Sequence, residues 1–248
     1  MQTGSKVIVW RRSVRKKILL EISVESVEAA AAADRGRADR VELCSDLSVG
    51  GLTPDLALIR AVRQQIQIPI FVMIRPRGGD FVYSPAEFAQ MKISIAVASD
   101  AGVSGLVFGI LKPNRTVDID RTRELLELAQ PLPVTFHRAF DACPHLPQAL
   151  EDVVRCGASR ILTSGGAASA LEGASNIAAL VAAAGERITI VPGAGINAGN
   201  ILQLAAATRA REFHSGLSSV LPRQQTDYVQ FEKEVRAMAK ILSTFGPE

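Results

Sequence analysis

Eight short apolar runs recur along the chain, each followed by a stretch whose apolar residues return every three or four positions. The runs cover residues 17–23, 39–44, 68–75, 105–110, 132–138, 159–164, 187–192 and 211–215. Most are near-continuous in apolar character, as strands buried on both faces of a parallel sheet must be; one-sided hairpin strands alternate instead. In the segments between, helical spacing groups Leu58, Ile59, Val62 and Ile66 on one face, then Phe88, Met91, Ile95 and Ala98. Near the end, Tyr228, Phe231, Val235, Met238 and Leu242 do the same. Thr53-Pro54 reads as a helix cap followed by proline at the first helical position, and Ser84-Pro85-Ala86-Glu87 as a capping box. Arg35-Gly36 and Cys156-Gly157 fall between a helix and the next strand.

Eight strand–helix pairs between residues 17 and 248 predict a single-domain α/β fold, the closed (β/α)8 or TIM barrel. An open doubly wound sheet is the competing architecture, but it has about five or six strands. No Gly- or Pro-rich linker and no low-complexity segment divides the chain.

Composition narrows the function classes. No apolar run approaches the roughly 18–20 residues that a bilayer-crossing helix needs, so a membrane role is not expected. The net charge of +3 is misleading, because residues 1–17 carry six basic groups and no acid, leaving 22 basic against 25 acidic groups in the remainder. Residues 1–16 therefore read as a disordered basic N-terminal extension ahead of a barrel over 17–248. That barrel lacks the basic footprint of a nucleic-acid binder. Three cysteines without a CxxC pair point to a reducing compartment and not to a disulfide framework.

In this fold chemistry sits at the C-terminal ends of the strands. There the chain places Glu21, Glu42, Arg75, Arg77, Asp80, His137, Arg138, Asp141, Ser164, His214 and Ser215. Strand alternation puts Glu21 with Ser23, Glu42 with Cys44, and Met73 with Arg75 and Arg77 on common sides. If those sides face inward, two carboxylates, guanidinium groups and a thiol converge on the barrel mouth. Buried charges must be paired, and Glu21 and Glu42 with Arg75 would meet that need. Glu21, Glu42, His137 and Asp141 are the catalytic candidates. His137 leads for proton transfer because imidazole titrates near neutrality. Arg75, Arg77, Asp80, Arg138, Ser164, Gly193, Gly195, His214 and Ser215 are the substrate-binding candidates. The glycine-rich turns after the sixth, seventh and eighth strands can direct N–H groups at an anion. HExxH, GxSxG and Walker patterns are missing, and carboxylates and histidines show no spacing for zinc or magnesium.

Several of these segments resemble the CutC family, named for copper homeostasis. The carriers are Leu-Glu-Ile at 20–22, Arg-Val-Glu-Leu-Cys at 40–44, Gly-Gly-Leu-Thr-Pro at 50–54 and Ile-Arg-Pro-Arg-Gly-Gly-Asp-Phe at 74–81. Phe-His-Arg-Ala-Phe-Asp at 136–141, Leu-Thr-Ser-Gly at 162–165, Gly-Ala-Gly at 193–195 and His-Ser at 214–215 extend it over nearly the whole chain after the basic tail. The resemblance implies a (β/α)8 barrel, a cytoplasmic homodimer and binding of Cu(I) through thiols, with Cys44 as the metal ligand. Members of the family often carry cysteine just after Leu-Glu-Ile, where this chain has Ser23 and Val24. Two expectations follow. One is a copper-homeostasis protein holding Cu(I) through Cys44. The other is an enzyme, or a former enzyme, acting by acid/base chemistry on a small anionic substrate that bears phosphate or carboxylate.

Overall fold

The computed structural model describes residues 17–216 and 227–245, so the expected basic extension over 1–16 lies outside the described residues. The eight strands are β1 (Leu19–Val24), β2 (Arg40–Leu43), β3 (Ile70–Met73), β4 (Gly105–Phe108), β5 (Val134–Phe136), β6 (Arg160–Thr163), β7 (Thr189–Pro192) and β8 (Glu212–Gly216). Helices α1 (Val27–Arg35), α2 (Leu56–Gln65), α3 (Pro85–Asp100) and α4 (Ile119–Ala129) follow the first four. Helices α5 (Leu146–Cys156), α6 (Ala174–Ala184), α7 (Ile201–Thr208) and α8 (Tyr228–Thr244) follow the rest. Parallel ladders run in the order β7-β6-β5-β4-β3-β2-β1-β8. At the seam between β7 and β8, the Ser215 hydroxyl donates to the Ile196 carbonyl at 2.6 Å. The result is the nearly closed (β/α)8 barrel that the apolar runs predict.

Alternation along each strand divides the interior in two. Outward residues such as Leu20, Ile22, Val41, Leu43, Val72, Leu106, Phe136 and Phe213 meet the apolar faces of the helices in one continuous core. The predicted faces take part: Ile59, Val62 and Ile66, then Phe88, Met91, Ile95 and Ala98, and Phe231, Val235, Met238 and Leu242 are all buried. Each large side chain fully withdrawn from water contributes about 1.5–3 kcal/mol. Inside the barrel the apolar cluster is small, consisting of Cys44, Phe71, Met73 and Val107 with Leu47 against it. Many of the other inward positions, among them Glu21, Ser23, Arg40, Glu42, Arg160 and His214, are polar.

Local signals fare unevenly. The Ser84–Glu87 capping box forms at the start of α3, with both reciprocal hydrogen bonds. The Thr53-Pro54 cap does not. Asp55 caps α2 by accepting from the Leu58 N–H at 2.7 Å. Thr53 instead uses its hydroxyl and N–H to clasp the backbone of Arg75, accepting from its N–H at 2.8 Å and donating to its carbonyl. A threonine whose oxygen is already held by a neighbouring strand cannot also cap a helix.

Candidate functional site

Toward the N-terminal ends of the strands the barrel is plugged by ions. Arg40 opens β2 and Arg160 opens β6, and both pair with Glu21 from β1 and with Glu212, which opens β8. Arg40 Nε and Arg160 Nη2 donate to Glu21 Oε2 at 2.5 and 3.1 Å, while Arg40 Nη2 reaches Glu212 at 2.6 Å. Both guanidiniums lie over the ring of Phe71, at 4.1 Å for Arg160 and 4.8 Å for Arg40. Gly105 on β4 makes room for that ring, since a Cβ there would stand 2.4 Å from it. Burial alone would raise the Glu21 carboxyl, but Arg160 and Arg40, then His214, hold it well below the usual carboxylate range. This overturns the expected pairing of Glu21 and Glu42 with Arg75. Glu21 sits below the mouth, and its counter-ions are two arginines from strand starts that sequence reasoning passed over.

Above this plug, at the C-terminal ends of the strands, lies a cavity of about 600 Å³. Its lining includes Ser23, Glu42, Met73, Arg75, Phe81, His137, Arg138, Asp141, Leu162, Ala194, Gly195 and His214. Glu42 is 3% exposed, and its Oε2 is buried without a hydrogen-bond partner among the described residues. Burial, opposed by His214 and reinforced by Glu21, pushes its carboxyl up to about 7. Beside it His214 shares a 2.8 Å hydrogen bond through Nδ1 with Glu21 Oε1. Burial would lower the imidazole's affinity for a proton, but Glu42 and Glu21 outweigh it and raise its pKa. Three carboxylates against two guanidiniums leave this buried group one negative charge in excess, which a single proton on Glu42 or His214 cancels.

The sequence showed no histidine–carboxylate cluster, yet the fold assembles one. Glu21, Glu42 and His214 each bring a ligand atom within 4.8 Å of the others. Folding joins residues from β1, β2 and β8, which no local spacing reveals. Charge argues against a dication there, because two guanidiniums already engage Glu21 and would repel it.

His137 stands on the opposite side of proton transfer from the role expected of it. It follows β5 directly and caps the short 3-10 turn over Arg138–Ala142, its Nδ1 accepting from the Ala139 N–H at 3.2 Å. Burial, then the neighbouring Arg75 charge, pulls its pKa down to about 3, so the ring is neutral near pH 7. Arg75 in turn donates to the carbonyls of Val49, Gly51 and Gly79 at 2.8, 3.2 and 2.9 Å. It thereby ties the loops after β2 and β3 together and forms no ion pair among the described residues.

The rim residues separate into wall and support. Asp141 reaches the cavity but serves chiefly as an internal anion. Its carboxylate accepts from the N–H groups of Ser164 and Gly166 and from the hydroxyls of Thr163 and Ser164, and it pairs with Arg138 at 2.9 Å. The glycine turn after β6, expected to receive a substrate anion, is thus filled by the protein's own carboxylate, and Ser164 is withdrawn from the cavity. Arg138 keeps its side chain 44% exposed at the rim. Arg77 and Asp80 leave the site altogether: Arg77 pairs with Asp80 and Glu87 at 2.9 and 2.6 Å beside the start of α3. β3 has already ended at Met73, so strand alternation no longer sets where Arg77 points. Gly193 and Ser215 are buried in the seam, whereas Ala194 and Gly195, both with positive φ, turn their loop toward the cavity.

Cys44 does not fit a soft-metal site. Its thiol is fully buried and faces the Val24 carbonyl at 3.6 Å. Burial, with Glu42 and Glu25 adding to it, pushes the thiol well above its ordinary pKa, opposite to what a thiolate ligand requires. Cys143 and Cys156 lie elsewhere, bonded to the carbonyls of Ala139 and Ile119. On β1 the inward position is Ser23, a hard oxygen donor.

Comparison with known proteins agrees with the fold. The model of the CutC family matches residues 18–219. A family protein CutC from Xylella fastidiosa (strain 9a5c) is 48% identical over 202 residues, covering 82% of this chain and 76% of that protein. The human copper homeostasis protein cutC homolog is 47% identical over 201 residues, 81% of this chain and 74% of that one. A crystal structure described as a putative copper homeostasis protein CutC from Streptococcus agalactiae superposes with a TM-score of 0.76 at 36% identity, covering 80% of this chain and 98% of that one. Thiamine phosphate pyrophosphorylase from Pyrococcus furiosus shares the barrel alone, with a TM-score of 0.63 at 14% identity over 94% of this chain and 98% of that one.

Proposed function

The chain belongs to the CutC family, a name that specifies no reaction, and from its cavity we propose that it is an acid–base enzyme for a small polar substrate carrying an anionic group. Glu42 moves the proton. One observation carries the reading: a buried carboxyl with an unpartnered oxygen faces a cavity of about 600 Å³ and titrates near neutrality. A general acid or base works best when its pKa matches the working pH. His214, tethered by Glu21, stands by to take up or return the same proton. The substrate's anionic group meets the Arg138 side chain at the rim, and the unpaired charge of Arg75 adds to the positive potential of that wall. Infrared difference titration of the full-length protein tests this. The Glu42 carboxyl band is expected to titrate near 7 and to be missing in Glu42→Gln; a Glu42 already ionised at about pH 5, its ordinary behaviour, refutes the assignment.

The name of the human relative brings a second reading, Cu(I) carried through Cys44. The burial and raised pKa of that thiol weigh against it. One equivalent of Cu(I) bound tightly in competition with a chromophoric chelator, and lost in Cys44→Ala, would restore it.

A further inference from the structure

His137 holds a buried N–H that no group among the described residues uses. Its Nδ1 accepts the Ala139 N–H, so in the neutral ring the proton resides on Nε2. Nε2 is buried without a partner, while His137 lines the cavity that Glu42 also faces. Orphaned buried donors cost about 1–3 kcal/mol each, so a fold that keeps one holds it ready for an acceptor brought by a ligand. The ring is firmly placed. Phe81 packs on it with centroids 4.9 Å apart, and the Nδ1–Cε1 edge abuts Gly109, where a Cβ would come within 2.7 Å of Nδ1.

We infer that His137 Nε2–H grips a carbonyl oxygen of the substrate, which makes the substrate class a small molecule with a C–H bond beside a carbonyl. This inference rests on the proton-transfer role of Glu42. Glu42 removes the proton from the carbon next to the carbonyl. The C–H electron pair becomes a carbon–carbon double bond, and the carbonyl π pair moves to oxygen. Nε2–H, with the Arg75 charge close by, stabilises that oxygen as it gains charge. Returning the proton to the same carbon, from the same or the opposite face, re-forms the carbonyl and completes exchange or epimerisation without any co-reactant. A neutral imidazole suits this role because it donates without delivering its proton outright. The depressed pKa of His137 keeps it neutral throughout the range where Glu42 titrates.

The test follows carbon-bound hydrogen exchange in D2O by proton NMR, with pyruvate and dihydroxyacetone phosphate as probes for the full-length protein. Wild type is expected to exchange one of them above the buffer rate. Glu42→Gln and His137→Leu are each expected to lose about 100-fold, and His137→Gln, which keeps an N–H, to run roughly tenfold faster than His137→Leu. Nitrogen-15 spectra of histidine-labelled protein should report His137 as the neutral Nε2–H form near pH 7, its Nε2–H signal shifting when oxalate, a planar enediolate mimic, binds. Exchange lost in Glu42→Gln but intact in His137→Leu overturns the His137 assignment and leaves the proton-transfer role standing. A protonated or Nδ1–H ring overturns it whatever the variants do. No exchange in wild type with either probe overturns the carbonyl class, and the Glu42 carboxyl titration then judges the proton-transfer role on its own.

Discussion

The two layers of the barrel interior use the same residue types to opposite ends. In the lower layer Glu21, Glu212, Arg40, Arg160 and Thr135 leave no buried side-chain polar atom unpartnered: the arginines pair with both glutamates, Arg160 also donates to the Thr135 hydroxyl, and the remaining Glu21 oxygen is taken by His214. In the upper layer Glu42 Oε2 and His137 Nε2 are buried without partners among the described residues. A closed network stabilises and fixes a structure; an open one at the same depth is costly unless a ligand completes it. The contrast shows where structure ends and chemistry begins in a barrel filled with charge, and it corrects the simpler view that every buried ion near the mouth belongs to the site.

The sharpest way to break the comparison is to open the lower layer. Arg160→Met leaves Glu21 and Glu212 short of a counter-ion, and the expected loss is about 3–5 kcal/mol in urea unfolding. Equal tolerance of Arg160→Met and Glu42→Gln would mean that the two layers do not differ. Next comes the acid limb. The folded state holds His137 at about 3 against an ordinary 6.5, so between those values the unfolded chain binds more protons and acid favours unfolding. That loss amounts to roughly 3 kcal/mol by about pH 4, and His137→Gln should flatten it.

Glu42 bends the curve the other way. Its folded pKa of about 7 exceeds the ordinary 4.5, so the folded state binds the extra proton and that stability is lost as pH rises from 4.5 to 7. His214, also raised, adds a decline that starts above its ordinary value near neutrality. Glu42→Gln should remove about 3 kcal/mol of this fall and be the more stable protein above pH 7. Unfolding curves of the two proteins that stay parallel from pH 5 to 8 would place Glu42 among the satisfied groups.

How much of this the residues disclose on their own follows from range. The strands are legible because burial on both faces writes itself as an unbroken apolar run, and inward alternation groups Ser23, Glu42, Met73 and Arg75 with the cavity, though it also takes in Glu21 and Arg77, which lie outside its lining. Arg40 and Arg160 were legible in principle, since each opens an apolar strand at inward parity, two residues before Glu42 and Leu162. Their partners come from other strands, however, and no local spacing signals that. Asp141 misleads for a related reason: a carboxylate beyond a strand looks free for chemistry until the N–H groups of a distant turn are seen to close around it. The proton state of His137 is set by its burial and then by the Arg75 charge, both of which only folding supplies.

Arg77 is where the smallest effect is expected, and it sharpens the boundary of the upper layer. In sequence it belongs with Arg75, two residues earlier in the same parity, and a phosphate or carboxylate site would recruit both. In the fold it pairs with Asp80 and Glu87 in a solvent-exposed cluster outside the cavity lining. Exposed pairs of this kind contribute little to stability. Arg77→Ala should therefore leave oxalate binding by calorimetry within about twofold of wild type, whereas Arg138→Ala, at the rim, should weaken it by about tenfold, the cost of one charge-assisted contact. If Arg77→Ala weakens oxalate as much as Arg138→Ala does, the loop after β3 reaches over the mouth when ligand is bound, and the upper layer extends one turn further than the strands alone define.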